Sequence, residues 1–346
     1  MIQKPVVYID VERMKYKNIG LYTFCNELVS TLKGEFEYKY FGNLPHKESI
    51  KPKWFHKIFG VRVNQANLWH ATHQDTNYLP MANIPIVLTI HDLNFLYANK
   101  SIEKVKKRLK KVQKLVDRSD YIVVISNFVL KDVQKHIDLK GKPIRVIYNG
   151  TIISVPSERI EKPLFKKNEY LFTIGTVVPK KNFHVLLNLL VNTSYSLIVA
   201  GIQNDKEYLN LILSKAKELK VEHQLELVGA VSETEKDWYY KNCKAFLFPS
   251  LSEGFGLPVI EAMRYGKPVF CSNLTSLPEI GGTEAFYFKS FDEKHMQHIL
   301  EKGLADFEKD LDKSKKIIDW SKQFTWEKTA ENYQKVYKSV LDEYSN

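Results

Sequence analysis

Two hydrophobic rhythms alternate along this chain. Short apolar runs with the length of strands fall at 6–10, 37–41, 68–70, 86–90, 121–125 and 144–147. Between them, at 19–32, 102–118 and 127–136, apolar residues recur at helical spacing. Runs such as IVLTI and YIVVI are apolar on both faces, which predicts a parallel sheet covered by helices on both sides. The segment 149–168 breaks the rhythm with Asn149–Gly150, Pro156 and Pro163, and reads as a linker. The alternation then restarts. Strands are expected at 170–174, 196–200, 225–229, 245–250 and 268–272, and helices at 183–190, 207–219, 233–241 and 258–265. A last helix is expected over 326–344.

The expected fold is α/β, with two Rossmann-like doubly wound domains facing a cleft. The first spans 1–155 and the second 169–325, joined by a linker at 156–168, and 326–346 forms a helix crossing back to the first. In such domains ligands sit at the carboxyl ends of the strands.

A length of 346 residues, 44% hydrophobic and 26% charged, fits a globular protein of this kind. No apolar run approaches the roughly 20 residues a membrane helix needs. MIQKPVVYID enters a strand without the apolar core of a signal peptide. Cys25, Cys243 and Cys271 are scattered without metal-binding spacing, and Cys271 reads as packing. A cytoplasmic protein is expected, one able to work at the inner face of the cytoplasmic membrane. Much of the net charge of +11 is local: the helix from Lys104 to Arg118 has Val105, Leu109, Val112 and Val116 on one face and basic residues on the others. A solvated surface, contact with an anionic membrane or acidic lipid-linked acceptor, and nucleic-acid binding all fit such a helix. Nucleic acid is not expected, because no aromatic-rich binding motif accompanies the charge.

The densest chemistry lies at 252–263, SEGFGLPVIEAM. The buried run AFLFPS precedes it, Pro258 suits a helix start, and Gly266 with Pro268 suits its end. A glycine loop opening a helix presents amides and a dipole to phosphate, here across Gly254, Phe255, Gly256 and Leu257. Glu253 in the loop suits sugar hydroxyls, and Glu261 within the helix suits a ribose diol. The alternatives are a helix cap for Glu253 and a surface salt bridge for Glu261. Phosphate beside two carboxylates points to a nucleotide sugar. A glycosidase pair is disfavoured, since eight mostly helical residues span about 10–12 Å against the roughly 5 or 6.5–9.5 Å such pairs need. A dehydrogenase is disfavoured as well: VYIDVERMKYKNIG has no G-x-G-x-x-G and GFGLPV lacks the third glycine.

Lys180 and Lys181 follow the strand at 170–174 through GTVVP and could neutralise a diphosphate, with Asn182 capping the next helix. An exposed basic loop is the alternative. His91, beside Asp92, ends a strand at the ligand edge and is either functional or structural. His70, His73 and Asp75 suggest a metal triad, but an acceptor-side loop is the favoured reading. Gly20 either approaches the donor phosphate or merely starts a helix, and Ser126 is expected to cap the helix after it.

The block SEGFGLPVIEAMRYGKPVFCSNLTSLPEIGG at 252–282 resembles the donor site of family 4 glycosyltransferases, which have the two-domain GT-B fold. NIGLYTFCNEL, VLTIHDLNFLY, DRSDYIVVISNF, IYNGT, FTIGTVVPKKNFHVLL, LVGAVSETEKDWYYKNCKAFLFPS and FTWEKTAENYQKVY match further segments in order. The likeness spans nearly the whole chain and is most specific at 250–282. It implies a retaining, metal-independent transferase moving a hexose from a nucleoside diphosphate sugar to a glycan or lipid-linked saccharide of a bacterial surface polymer. It implies a donor site of Gly20, Thr176, Lys180, Lys181, Val231, Glu253, Gly254, Phe255, Gly256, Leu257 and Glu261. Lys181, Glu253 and His91 would be catalytic. Many family members carry an arginine where this chain has Thr176, which shifts phosphate neutralisation onto Lys181. The GTVVPKKN form resembles mannosyltransferases and favours GDP-mannose, with a UDP-hexose as alternative. The contrasting reading is a non-catalytic GT-B shell that binds membrane or nucleic acid through its basic helix.

Overall fold

The computed structural model describes residues 4–16, 20–44, 49–98, 101–151 and 169–345. The segment 156–168, expected as a linker, lies outside the described residues, as do Asn18 and Ile19 of NIGLYTFCNEL. The chain divides into two compact units, one of Met1–Gly150 with Thr325–Asn346 and one of Thr151–Phe324.

In the first unit the elements run β1 (Val6–Asp10), α1 (Gly20–Thr31), β2 (Glu37–Phe41), β3 (Ser49–Ile50), α2 (His56–Phe59), β4 (Leu68–Ala71), β5 (Ile86–Ile90), α3 (Ile102–Arg118), β6 (Tyr121–Val124), α4 (Asn127–His136) and β7 (Ile144–Val146). The second unit runs β8 (Tyr170–Ile174), β9 (Ser196–Ala200), α5 (Lys206–Glu218), β10 (Leu225–Gly229), α6 (Glu233–Asn242), β11 (Ala245–Phe248), α7 (Leu257–Arg264), β12 (Val269–Ser272), α8 (Leu277–Gly281), β13 (Phe286–Phe288), α9 (Glu293–Lys309) and α10 (Lys313–Ser321). The last helix, α11 (Trp326–Ser345), belongs to the first unit.

The strand orders are β3-β2-β1-β4-β5-β6-β7 and β10-β9-β8-β11-β12-β13, and the paired strands are parallel. Each sheet starts near its middle and winds outward in both directions. The reversals fall between β1 and β4 and between β8 and β11. At such a reversal the two following loops diverge and leave a crevice at the carboxyl edge.

α1 and α11 pack in one core with Val7, Ile9, Val87 and Val123 of the first sheet. Trp326, Ala330, Tyr333, Tyr337 and Val340 form one helical stripe of α11, which gives a polar-looking helix its fixed place. Close approach fixes the joint as well: a Cβ on Gly150 would stand 2.2 Å from the Trp326 amide nitrogen. Ser126 caps α4, its side chain accepting from the Val129 amide at 3.1 Å.

Two local readings are corrected. The helix expected at 183–190 is a 3-10 helix, Phe183–Leu189, and Asn182 does not cap it with its side chain. Asn182 is left-handed (φ 58°) and joins that helix to a 3-10 turn at Pro179–Lys181. Asparagine tolerates this conformation, so it serves here as a backbone corner. The stretch after β12 also holds α8, β13, α9 and α10, where the apolar pattern drew no element.

Candidate active site

The reversal of the second sheet brings together the loops after β8 and after β11. Gly175 turns the chain out of β8 at φ +152°, and a Cβ there would stand 3.1 Å from the Lys181 side chain. The Lys181 stem therefore lies over a bare backbone. Its Nζ is 2.5 Å from Glu253 Oε1 and 4.7 Å from the centroid of the Phe248 ring. Both partners are largely buried, with side chains 12% and 13% exposed. Burial alone would raise the Glu253 pKa. The charges of Lys181 and Lys180, with hydrogen bonds from Lys181 and Ser250, outweigh burial and hold the carboxyl below its usual range. Glu253 is thus a fixed carboxylate rather than a helix cap.

A backbone bond ties the two loops together, and a side-chain bond fixes Glu253 within the second. The Lys180 carbonyl accepts from the Leu251 amide at 2.8 Å, and the Ser250 hydroxyl donates to Glu253 Oε1 at 2.6 Å. Lys180 is exposed, and Thr176 is half-buried in the loop between. The residues after β12 brace the glycine loop from beneath. The Ser276 hydroxyl is shared between the carbonyls of Glu253 (3.0 Å) and Phe255 (2.8 Å), and Thr275 Oγ1 accepts from the Glu253 amide at 3.1 Å. Phe255 is buried and meets Phe324 edge-on at 5.9 Å. Gly256 precedes α7 at φ +107°, and a Cβ there would stand 2.6 Å from Leu277 Cδ2. No side chain caps α7, which begins at Leu257, with Pro258 in its first turn. The positive end of a helix that starts this way suits an anion.

Glu261, one turn further along α7, is held separately. Its Oε1 is 3.2 Å from Lys236 Nζ, and the Tyr240 hydroxyl donates to Oε2 at 2.9 Å. Lys236 also lies 2.7 Å from Glu233. Burial opposes the charge on Lys236, but Glu261 and Glu233 raise its pKa well above the usual lysine range. Ser232 and Glu235 form a capping box that starts α6 directly after half-buried Val231. Lys236, Tyr240, Ser250, Thr275 and Ser276 were missing from the sequence reading. Their signals were present: the i,i+4 pair on α6, and a serine/threonine cluster after a strand.

The carboxyl edge of the first sheet holds the other expected residues. His91 follows β5 and is buried, its ring edge-on to Phe24 of α1 at 4.6 Å. Its Nε2 is 2.8 Å from the Thr72 carbonyl, so this nitrogen carries the proton. Burial pushes the imidazole down to about 4, against the Thr72 bond, and His91 is neutral near pH 7. Gln74 fixes the backbone there, accepting from the His91 amide at 3.0 Å and donating to the Asp92 carbonyl at 2.9 Å. Gly20 is the exposed first residue of α1, and a Cβ there would meet nothing within 4 Å.

The triad of His70, His73 and Asp75 does not assemble. His70 is a core residue bonded to the Tyr337 and Thr89 hydroxyls at 2.8 Å each, not part of an acceptor loop. His73 Nδ1 accepts from the Asp75 amide at 2.9 Å, and Asp75 pairs with Arg108 of α3 at 3.3 Å. Among the described residues no group of three His, Cys, Asp or Glu could hold a metal ion. The basic helix is corrected in detail. Its inner face is Val112, Leu115 and Val116, and Val105 is only half-buried. Lys111 donates to the Asp75 carbonyl at 2.8 Å, leaving Lys104, Lys106, Lys107, Lys110 and Lys114 on the exposed side.

Residues 41–154 match the family profile described as Glycosyltransferase Family 4, and residues 154–324 match that of Glycosyl transferases group 1. The chain is 30% identical over 286 residues to the serotype-specific mannosyltransferase WbdA of Escherichia coli, covering 75% of this chain and 34% of that protein. It thus spans about a third of the length of that relative. It is 27% identical over 286 residues to the O-antigen chain mannosyltransferase B of Escherichia coli, covering 77% of this chain and 73% of that one. Among solved structures, sucrose-phosphate synthase from Thermosynechococcus elongatus superposes with a TM-score of 0.74 at 15% identity, covering 99% of this chain and 100% of the other. With two doubly wound parallel sheets and these matches across both, the chain belongs to the family 4 glycosyltransferases of GT-B fold.

Proposed function

We propose that the protein transfers a hexose, with retention of configuration, from a nucleoside diphosphate sugar to a glycan or lipid-linked saccharide in bacterial surface polysaccharide assembly. The supporting observation is the buried Lys181–Glu253 pair at the reversal of the second sheet, beside the uncapped α7. GDP-mannose is the proposed donor, supported by the GTVVPKKN loop and by relatives named as mannosyltransferases.

In this reading the donor diphosphate lies at the start of α7. It takes Lys181 as counter-ion, and Thr176, Lys180, Val231 and the segment 254–257 line its place. A preorganised cation and dipole act where charge develops on the leaving diphosphate. Glu253 orients sugar hydroxyls and Glu261 takes the ribose diol. The bond from the anomeric carbon to the donor phosphate oxygen breaks, and the acceptor oxygen bonds to that carbon on the same face. The acceptor proton passes to the departing phosphate. His91, neutral and with its proton committed to Thr72, offers only the Nδ1 lone pair, which suits positioning of acceptor or sugar. The proposal includes no resident metal. It places the protein in the cytoplasm, at the membrane face where a lipid-linked acceptor would be met.

The test is a thermal-shift panel of GDP, UDP, ADP and their sugars, followed by donor consumption with and without acceptor. Stabilisation by GDP-mannose and GDP above the others is expected. Stabilisation by UDP sugars alone overturns the donor assignment, and no binding or consumption of any nucleotide sugar overturns the transferase reading.

A further inference from the structure

We propose that the short helix α2 and its flanks form a membrane-docking knob for anionic phospholipid bilayers. Trp54, Ile58 and Phe59 are 72%, 67% and 65% exposed, and Met81 is 61% exposed. Phe55 is exposed as well, its ring 6.0 Å from that of Trp54. Five large apolar side chains exposed around one turn are the kind of patch that marks an interaction surface.

The cluster is held in shape. His56, on the opposite side of the turn, is buried and meets the Phe41 ring edge-on at 5.6 Å, and its Nδ1 accepts from the Lys53 amide at 3.1 Å. Gly60 ends α2 at φ +83°, and a Cβ there would stand 3.0 Å from Met81 Cγ. The Val61 amide donates to the Leu79 carbonyl at 2.8 Å, and the Met81 amide donates to the Val61 carbonyl at 3.0 Å. These bonds bring Met81 against the end of α2. The exposed rings therefore project from an anchored turn.

Charge decides the partner. Lys51, Lys53, Lys57 and Arg62 are exposed among these apolar residues, and the sequence from Ser49 to Gln74 contains no acidic residue. Protein–protein interface cores are depleted in lysine. Tryptophan and phenylalanine interleaved with lysine match the apolar boundary and phosphate layer of an anionic leaflet. The exposed side of α3 is basic without such an apolar cluster and supplies long-range attraction at most. This surface does not rest on the donor chemistry.

Trp54 is its own probe, since Trp69 and Trp326 are buried and Trp238 and Trp320 half-buried. The full chain is mixed with vesicles of phosphatidylglycerol and phosphatidylcholine, or of phosphatidylcholine alone, and assayed by flotation and by quenching with brominated acyl chains. Salt-sensitive binding to the anionic vesicles is expected, with quenched, blue-shifted emission. Ile58→Ser with Phe59→Ser should lower partitioning at least tenfold at unchanged Tm, and Trp54→Phe should keep most binding but lose the spectral response. Three outcomes overturn the proposal: no anionic-vesicle binding by the wild type, undiminished binding by the folded Ile58/Phe59 variant, or a dimer that this variant dissociates while vesicles bind neither form. Binding abolished by Lys106→Gln, Lys107→Gln and Lys110→Gln but not by the Ile58/Phe59 variant would move the site to α3. The nucleotide panel reads independently of these results.

Discussion

Lys181 and Glu253 neutralise each other, Nζ to Oε1 at 2.5 Å, where the loops after β8 and β11 meet. In the proposed arrangement donor binding would exchange these partners, the lysine turning to phosphate and the carboxylate to sugar hydroxyls. Removing one member of a buried pair strands the other, at a cost of about 3–5 kcal/mol. Lys181→Met should show that loss in denaturant unfolding and lower kcat/KM by about 10²–10³. Lys181→Met with Glu253→Gln should recover most of the stability and none of the activity. A double variant no more stable than the single one would show that the pair is not coupled.

Ser276 holds Glu253 without touching any ligand in the proposed arrangement. Its hydroxyl bridges the carbonyls of Glu253 and Phe255 across the glycine loop. Ser276→Ala should cost about 1–2 kcal/mol of stability and weaken donor binding about tenfold, while Ser276→Thr should restore part of both. Calorimetric titration with donor nucleotide checks this. Unchanged affinity in a destabilised Ser276→Ala would make the bridge purely structural.

Glu261 is fixed by Lys236 and Tyr240, one contact to each carboxylate oxygen. In the proposed arrangement ribose binding at Glu261 would leave Lys236 paired to Glu233, which would limit the cost of the exchange. Glu261→Ala should abolish measurable nucleotide binding, whereas Tyr240→Phe should reduce it about three- to tenfold by loosening the carboxylate. Affinity unaffected by Glu261→Ala would refute the ribose role.

Strands and loops of the candidate site were legible wherever local rules decide them. IVLTI and SEGFGLPVIEAM need no distant partner to be read as a strand and as a glycine turn opening a helix. Partners that come from elsewhere in the chain were not legible. His70 reads as part of an acceptor-side loop because Tyr337, which makes it a core residue, lies 267 positions away. Asp75 looked available because Arg108 lies 33 positions on. Asn182 looked like a cap because its side chain suits one, yet the corner between two 3-10 turns took its backbone instead. The α2 knob escaped notice because a four-residue helix has no periodicity to detect.

Asp10 and three histidines give the first unit opposed pH responses. Asp10 ends β1, buried, with Thr76 Oγ1 donating to Oδ2 at 2.7 Å and the Glu12 amide to Oδ1 at 3.0 Å. Burial outweighs these bonds and pushes the carboxyl from 3.8 up to about 7. Burial likewise pushes His70, His73 and His91 from 6.5 down to about 3, 2 and 4. For Asp10 the folded state binds the proton more tightly, so its contribution is complete below pH 3.8 and is lost as pH rises through about 7. For the histidines the unfolded state binds protons first, so stability is complete above pH 6.5 and falls as pH drops below it. Asp10→Asn keeps an oxygen for the Glu12 amide and cannot ionise. Its stability relative to wild type should therefore rise between pH 4 and pH 8 by about 2–4 kcal/mol. His70→Gln should instead flatten the loss below pH 6.5. Urea unfolding at several pH values checks both, and a constant offset between Asp10→Asn and wild type would mean that Asp10 does not titrate in this range.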